Sequence, residues 1–243
     1  MIIYFSGGKD SLAVLHLFKD DPDLECVRFA DTGDMYPHVR EFVKDTCKRF
    51  GVKLEIVKPK MTVEEFHAKF GYPSDMIPVV RTPENITLRG RRKEQKIQSL
   101  IQCCGNMAWM PMQERSQGKT VYRGIKRRDE HNTVSRDVFD EATNIKYINP
   151  IWDWTDDMVF EYLEKNNVEL PRHYKEFNIS LDCIHCTAFT HSPEAKDRLR
   201  WTKENYPSYW PEIKRRFAVV NKAIKEEAKL IDEPFEFVLN DRG

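Results

Sequence analysis

A polar loop near the start of the sequence has the residue types of an anion-binding site. It lies between an apolar run and a helical pattern and consists of Ser6-Gly7-Gly8-Lys9-Asp10-Ser11. The two glycines let the backbone approach an anion closely and turn its N–H groups toward it, while Lys9 adds a mobile positive charge. The serines can donate hydroxyl protons or cap the helix. Asp10 is a poor phosphate contact, so it could hold a metal, orient Lys9 or cap the helix.

Charged residues also follow two other predicted strands. Asp31 follows the second strand, where it could bind ribose hydroxyls or a metal-bound water, or cap the next turn. The group after a later strand consists of Gly124, Lys126, Arg127 and Arg128. Its cations could clamp phosphate or sulfate, the arginines through bidentate contacts, or they could form a solvated basic turn.

Four of the six cysteines form two pairs with the spacing of metal ligands: Cys103-Cys104 and Cys183-Ile184-His185-Cys186. A C-x-x-C turn presents two thiolates to one metal centre, and a distant pair can complete a four-thiolate site. Adjacent cysteines chelate a single ion awkwardly because their side chains diverge, whereas a cluster offers separate iron atoms. An iron–sulfur cluster, a zinc ion and unrelated thiols are the alternatives. The other two thiols, Cys26 and Cys47, are predicted to be small buried apolar residues.

The elements that must position these groups alternate between strands and helices. The first five are Ile2–Phe5, Asp10–Phe18, Cys26–Ala30, Pro37–Phe50 and Leu54–Val57. This order predicts a parallel sheet with crossover helices, and its loops then lie at the sheet edge where such folds bind ligands. Residues 60–118 are predicted to be irregular to helical. Two strands and two amphipathic helices follow: Thr120–Gly124, Tyr147–Ile148, Asp156–Asn166 and Pro211–Ala228.

Length and composition exclude several classes of protein. The chain has 243 residues, of which 40% are apolar and 32% charged, which suits one large domain or one domain with an appended piece. No apolar run approaches the ~20 residues of a spanning helix, and no signal peptide fits the start. We therefore expect a cytoplasmic protein, in which reduced thiols favour metal binding or catalysis over disulfides.

The charge is unevenly distributed although the totals cancel. Basic and acidic residues number 39 each, but residues 81–136 contain 13 basic and 5 acidic ones. Such a stretch suits a compact polyanion such as a nucleotide, or it is a solvated loop covered by acidic neighbours. Zero net charge makes the chain a poor non-specific nucleic-acid binder, so a nucleic acid is expected only as an acceptor substrate.

Four stretches resemble, in order, the phosphoadenosine phosphosulfate (PAPS) reductase family of the PP-loop ATP pyrophosphatase superfamily. They are Phe5–Leu17 with its SGGKDS loop, Phe29–Gly33 with a D-T-G turn, Gly124–Asp129 and Ile148–Thr155. The resemblance runs from residue 2 to about residue 190. It implies an α/β fold with a Rossmann-like parallel sheet flanked by helices, of the HUP or PP-loop type, and a helical C-terminal extension. We expect a nucleotide-binding domain at 1–155 and a helical region at 156–243 that carries the second cysteine pair, packed together as one unit.

The resemblance also implies roles for the loops. Members of the superfamily cleave ATP between the α and β phosphates and hold the pyrophosphate on the SGGKDS loop. An adenine nucleotide with Mg²⁺ would then contact residues 6–11, Asp31, Gly124 and residues 126–128, and the catalytic residues would be Lys9, Asp10, Arg127 and Arg128. The cysteine set resembles the one that holds the [4Fe–4S] cluster of adenylyl-sulfate (APS) reductases and related sulfur-inserting enzymes, with zinc as the alternative metal.

Two departures separate this sequence from the sulfonucleotide reductases. Those enzymes use a nucleophilic cysteine in an E-C-G-x-H tail, whereas here no cysteine follows Cys186. The first loop also keeps a complete SGGKDS, as in the small subunit of bacterial ATP sulfurylase. Both departures favour an enzyme of sulfur chemistry that converts ATP to an adenylate and pyrophosphate.

Three hypotheses about function follow. In the first, ATP is cleaved, and the cluster orders the site or helps to deliver sulfur from a donor. In the second, the chain is an APS or PAPS reductase that uses another thiol and a thioredoxin-like reductant. In the third, it is a non-catalytic nucleotide-binding accessory subunit. A homo-oligomer is compatible with each of them.

Overall fold

The computed structural model describes residues 1–75, 96–127, 129, 136–190 and 192–240. Arg128 and much of the basic stretch at 81–136 therefore lie outside the described residues. The chain divides into two compact units, of which the first comprises Met1–Lys60 and Gly105–Cys183 and the second Met61–Cys104 and Ile184–Gly243. Each unit combines two separate segments of the chain. The division into residues 1–155 and 156–243 stays a prediction.

Eight strands occur in the described residues. They are β1 Ile2–Tyr4, β2 Cys26–Ala30, β3 Leu54–Val57, β4 Tyr72–Ser74, β5 Ile97–Ser99, β6 Thr120–Tyr122, β7 Asp137–Asp140 and β8 Ile145–Ile148. Six of them form the sheet of the first unit, in the order β3-β2-β1-β6-β8-β7. Neighbouring strands are parallel except β7, which is antiparallel to β8. The predicted α/β fold with a Rossmann-like parallel sheet is therefore confirmed.

Eight α-helices occur in the described residues, and they include the four predicted ones. They are α1 Lys9–Phe18, α2 Pro37–Arg49, α3 Val63–Phe70, α4 Leu100–Cys104, α5 Met110–Arg115, α6 Asp156–Lys165, α7 Ala195–Asn205 and α8 Trp210–Asn240. A π-helical segment, Gly105–Trp109, connects α4 to α5, and short 3-10 turns cover Arg172–Lys175 and Pro207–Tyr209. The C-terminal helix is confirmed and extends beyond its predicted bounds.

The core of the first unit explains why α1 is apolar on most of its faces. Its residues Leu12, Val14 and Leu15 are completely buried, and the same core contains Val43 of α2 and Leu163 of α6. A helix packed on several sides needs apolar residues around most of its circumference. Burial of these side chains fixes the start of α1, and with it the preceding polar loop, against the sheet.

The strand order also locates the crevice of the sheet. The chain passes outward from β1 through β2 to β3 and later returns to β6 on the other side of β1. In open α/β sheets such a reversal leaves a crevice outside the carboxyl ends of the two strands, where ligands bind. The loops that follow β1 and β6 flank this crevice, and they contain the predicted glycine loop and the Gly124 turn.

The second unit corrects the prediction that residues 60–118 are irregular to helical. It contains a two-stranded parallel sheet of β4 and β5, and Ile97 of β5 packs with Val220 and Ala223 of α8. Proline at position 73 lacks a backbone donor and obscures the strand pattern. Across the described residues, no helix combines the length and apolarity needed to span a membrane.

Candidate nucleotide-binding site

The loop after β1 is held by its own residues. Gly7 has φ +87°, and a Cβ there would lie 2.9 Å from Val39 Cγ1, so conformation and space both require glycine. The Ser11 hydroxyl donates to the Gly8 carbonyl at 3.0 Å, and the Ser6 N–H donates to Ser11 Oγ at 3.3 Å. Ser11 therefore shapes the loop from within.

Two buried lysines converge on this loop. Lys9 is 6% exposed and Lys126 is 2% exposed. Lys9 Nζ lies 2.8 Å from Asp10 Oδ2, and Lys126 Nζ lies 2.7 Å from Asp10 Oδ1. Both ammonium groups also approach Asp156 Oδ1, at 2.8 and 3.3 Å. Of the three roles predicted for Asp10, the structure supports the orientation of Lys9 and extends it to Lys126.

Within the cluster of two lysines and two aspartates, Lys9, Lys126, Asp10 and Asp156, the ion pairs shift the pKa values of Asp156 and Lys9 toward the charged forms. Burial by itself raises the pKa of Asp156, but hydrogen bonds and charge from Lys9 and Lys126 outweigh burial and hold that pKa below its ordinary value. Burial likewise opposes the charge of Lys9, yet its bonds to Asp10 and Asp156 raise the pKa of Lys9. Lys9 is thus charged before a ligand arrives, and the ion pairs to Asp10 and Asp156 position both lysines.

Gly124 allows the turn after β6 to approach the first loop. A Cβ at this position would lie 2.5 Å from both the Asp10 carbonyl carbon and the Ser11 nitrogen, which is closer than side chains tolerate. The turn is closed two residues later, where the Lys126 N–H donates to Asp129 Oδ2 at 2.8 Å. The glycine therefore permits the close backbone packing that brings Lys126 to Asp10.

Arg127 and Asp31, two other residues predicted for the site, have partners outside the lysine–aspartate cluster. Arg127 is exposed, and its guanidinium pairs with Asp153 Oδ1 at 2.5 Å rather than with the lysine–aspartate cluster. Asp31 is buried and accepts hydrogen bonds from the Gly33 N–H at 3.0 Å and from Arg40 at 2.7 Å. The capping alternative for Asp31 is thus realised, while contact with a ribose stays a prediction.

Two residues of the site were not predicted. Asp156 is the first residue of α6 and lies immediately after the Ile148–Thr155 motif, so the position of that motif could have indicated it. Tyr174 lies in the 3-10 turn and accepts a hydrogen bond from the Lys9 N–H at 3.1 Å. Because 165 positions separate the two residues, no local pattern reveals this contact.

The predicted cysteine ligands are reduced thiols in the structure. In the first unit, Cys183 Sγ lies 3.3 Å from Thr32 Oγ1. Cys103, Cys104 and Cys186 belong to the second unit, where Cys103 is buried with its Sγ 3.4 Å from His67 Nε2. No group of three or more His, Cys, Asp or Glu side chains in the described ranges is arranged to hold a metal ion. The metal site therefore stays a prediction that rests on the donor set, since thiolates suit iron and zinc.

Comparisons with known proteins relate the chain to a family. A family model, the phosphoadenosine phosphosulfate reductase domain, matches residues 1–189. The chain is 26% identical over 191 residues to phosphoadenosine 5'-phosphosulfate reductase of Alkalilimnicola ehrlichii. This alignment covers 77% of this chain and 70% of that protein. It is 25% identical over 193 residues to sulfate adenylyltransferase subunit 2 of Streptomyces lavendulae, covering 71% of this chain and 56% of that one.

A solved structure shares the fold. Phosphoadenylyl-sulfate reductase from Candida auris, crystallised as a phosphate complex, superposes with a TM-score of 0.53 and 19% identity over 76% of this chain and 82% of that chain. The family model spans most of the sequence and includes the glycine loop, the Gly124 turn and Asp156. The chain therefore belongs to the phosphoadenosine phosphosulfate reductase family.

Proposed function

We propose that this protein is an enzyme of sulfur metabolism that binds ATP and releases pyrophosphate. The observation that carries the proposal is the convergence of Lys9 and Lys126, both buried, on the loop at the carboxyl end of β1. Burying two cations at a glycine loop is costly unless they serve anions. Asp10 and Asp156 balance these two charges and hold both ammonium groups beside the loop, where the phosphates of a nucleotide would bind.

The geometry suggests how these residues would act. An acceptor oxygen attacks the α-phosphorus of ATP, the bond to the bridging oxygen breaks, and pyrophosphate leaves with the electron pair. Backbone N–H groups of the loop and the two lysines would stabilise the negative charge that develops on the leaving group. Magnesium bound with the nucleotide would neutralise further negative charge on the phosphates. The carboxylate oxygens of Asp10 and Asp156 are of the type that binds Mg²⁺.

The thiols outside the predicted metal set favour ATP cleavage over reduction. Cys26 and Cys47 are both buried. Burial raises the pKa of Cys47 to about 12 and also raises that of Cys26. A nucleophilic thiol needs a lowered pKa and access to its substrate, so neither cysteine is suited to attack a sulfonucleotide.

The second candidate function is reduction of APS or PAPS, which the name of the Alkalilimnicola relative favours. Such a reaction would need a thiol of this chain, or of a partner, to attack the sulfate sulfur and to be regenerated by a reductant. It predicts sulfite release in the presence of thioredoxin or glutathione. A Cys26→Ser/Cys47→Ser variant that retains full sulfite release would exclude an internal nucleophile at these positions.

The two functions are separated by one pair of assays. We expect the purified protein to bind MgATP in calorimetry and to exchange labelled pyrophosphate into ATP when candidate acceptors are supplied. Sulfite release from APS or PAPS without ATP binding would contradict the proposal and support the reductase. ATP binding with no exchange for any acceptor would instead indicate an accessory subunit.

The cysteine set makes a separate prediction. We propose that Cys103, Cys104, Cys183 and Cys186 hold a [4Fe–4S] cluster, so protein purified without oxygen should show a broad absorption band near ~400 nm and contain iron and sulfide. Cys183→Ser should lose the band, whereas Cys47→Ala should keep it because Cys47 is a residue of α2 that is buried in the core of the first unit. Colourless protein with one bound zinc would overturn the cluster assignment.

A further inference from the structure

The first backbone donor of α1 is already occupied by a side chain. The N–H of Lys9, the first residue of the helix, donates to Tyr174 Oη at 3.1 Å. The first N–H groups of a helix have no partner within the helix and attract anions. In the proposed site, a phosphate oxygen would approach this same end of α1, so the hydroxyl of Tyr174 stands next to the ligand.

Tyr174 is held in place by its neighbours. Its ring lies 6.2 Å from the Phe160 ring, centroid to centroid, and its hydroxyl lies 3.2 Å from Ser180 Oγ. Ser180 in turn borders the loop, because a Cβ on Gly8 would lie 2.5 Å from Ser180 Oγ. Residues 174 and 180 therefore place two hydroxyl groups beside the glycine loop.

The hydroxyl of Tyr174 is protonated and can therefore donate a hydrogen bond. Burial raises the pKa of Tyr174, so the phenol keeps its proton at neutral pH. A phenolic hydroxyl has one proton to donate and lone pairs that accept. With the Lys9 N–H donating to the oxygen, the proton is directed elsewhere, either to Ser180 or to a ligand.

We propose that Tyr174 is a phosphate-binding residue, which accepts a hydrogen bond from the Lys9 N–H and donates its proton to an oxygen of the bound nucleotide. The hydroxyl of Ser180 then turns and donates to the Tyr174 oxygen, so the Lys9 N–H and the two hydroxyl groups each keep a hydrogen-bond partner. This inference rests on the proposed function, since it requires a nucleotide phosphate at the loop. It adds to that site a specific donor from the segment that precedes Cys183.

The test compares Tyr174→Phe with Tyr162→Phe, which removes another partly buried tyrosine hydroxyl, one bonded to His16 at 2.8 Å. Calorimetry with ATP, pyrophosphate and adenosine would be done on each variant. Loss of a hydrogen bond to a charged group should weaken ATP and pyrophosphate binding by Tyr174→Phe about tenfold or more. Adenosine binding should not change, and Tyr162→Phe should bind all three probes like the unmodified protein.

The outcomes separate this inference from the function on which it rests. If the unmodified protein fails to bind ATP, both the proposed function and the role of Tyr174 are overturned. If it binds ATP and Tyr174→Phe binds ATP equally well, or more tightly, only the role of Tyr174 is overturned. An equal loss for ATP and adenosine would mean general loosening of the site and would also overturn it.

A second variant guards against loss of structure. Ser180 is exposed, so Ser180→Ala should fold even if Tyr174→Phe does not, as judged by circular dichroism. Because the Ser180 hydroxyl supports Tyr174, its removal should weaken ATP binding by about two- to threefold. Should Tyr174→Phe not fold, unchanged ATP binding by Ser180→Ala would overturn the proposal.

Discussion

Replacing Lys9 with alanine is expected to lower the rate of pyrophosphate release from ATP by about a hundredfold or more. The Lys9 ammonium group lies 2.8 Å from both Asp10 and Asp156. It would stabilise the negative charge that develops on pyrophosphate as this group leaves. Its removal also leaves two carboxylates that repel the phosphates with only Lys126 to balance them. The measurement is pyrophosphate release or ATP–pyrophosphate exchange at saturating ATP.

Two further variants make the Lys9 result interpretable. In the unmodified protein, the Lys9 ammonium lies 5.8 Å from the centre of the Phe160 ring. Lys9→Met removes this charge but keeps an apolar side chain of similar length, so the variant should fold normally and lose activity to a similar degree. Lys119→Ala is the matched control, because Lys119 forms an exposed ion pair with Glu25 at 2.6 Å before β6 begins, and it should retain full activity. Exchange that survives unchanged in folded Lys9→Met would rule out the proposed role of Lys9.

Gly124→Ala should disturb both stability and the site. The added methyl group would lie 2.5 Å from backbone atoms of Asp10 and Ser11, and backbone atoms cannot rotate away as a side chain can. Overpacking of this kind costs about 1–3 kcal/mol, which for a chain of this length corresponds to a fall in Tm of about 2–12 °C. The displaced loop should also lower the rate of pyrophosphate release about tenfold or more, because positioning errors near 1 Å have large effects on rate.

The control for this variant is Gly105→Ala. A Cβ at Gly105 would have only one contact within 4 Å, at 3.9 Å from Trp109, and alanine favours a helical segment over glycine. We expect its Tm and its ATP binding to equal or exceed those of the unmodified protein. Gly124→Ala with unchanged Tm and unchanged pyrophosphate release would show that the turn after β6 does not press against the loop as described.

Much of the sheet could be predicted because central parallel strands are buried on both faces and form continuous apolar runs. The central strand β2 has the predicted bounds Cys26–Ala30. The edge strand β3 also has its predicted bounds, Leu54–Val57, because three of its four residues are apolar. The edge strand β7 was missed because its sequence, Asp-Val-Phe-Asp, is charged at both ends and its residue Phe139 is exposed. An edge strand needs no continuous apolar run, and β7 has none, so its composition does not identify it.

The family, the parallel sheet and the glycine loop could be inferred from the residues alone, because they depend on neighbouring residues whose spacing is visible in the chain. Which charges meet at that loop depends on how the chain folds. Lys126 reaches Asp10 across 116 positions, and Tyr174 reaches Lys9 across 165. Such pairs form because the return of the chain to β6 and the packing of α1 against α6 bring distant backbone segments together. That placement follows from burial of the shared core, and no local pattern of residues records it.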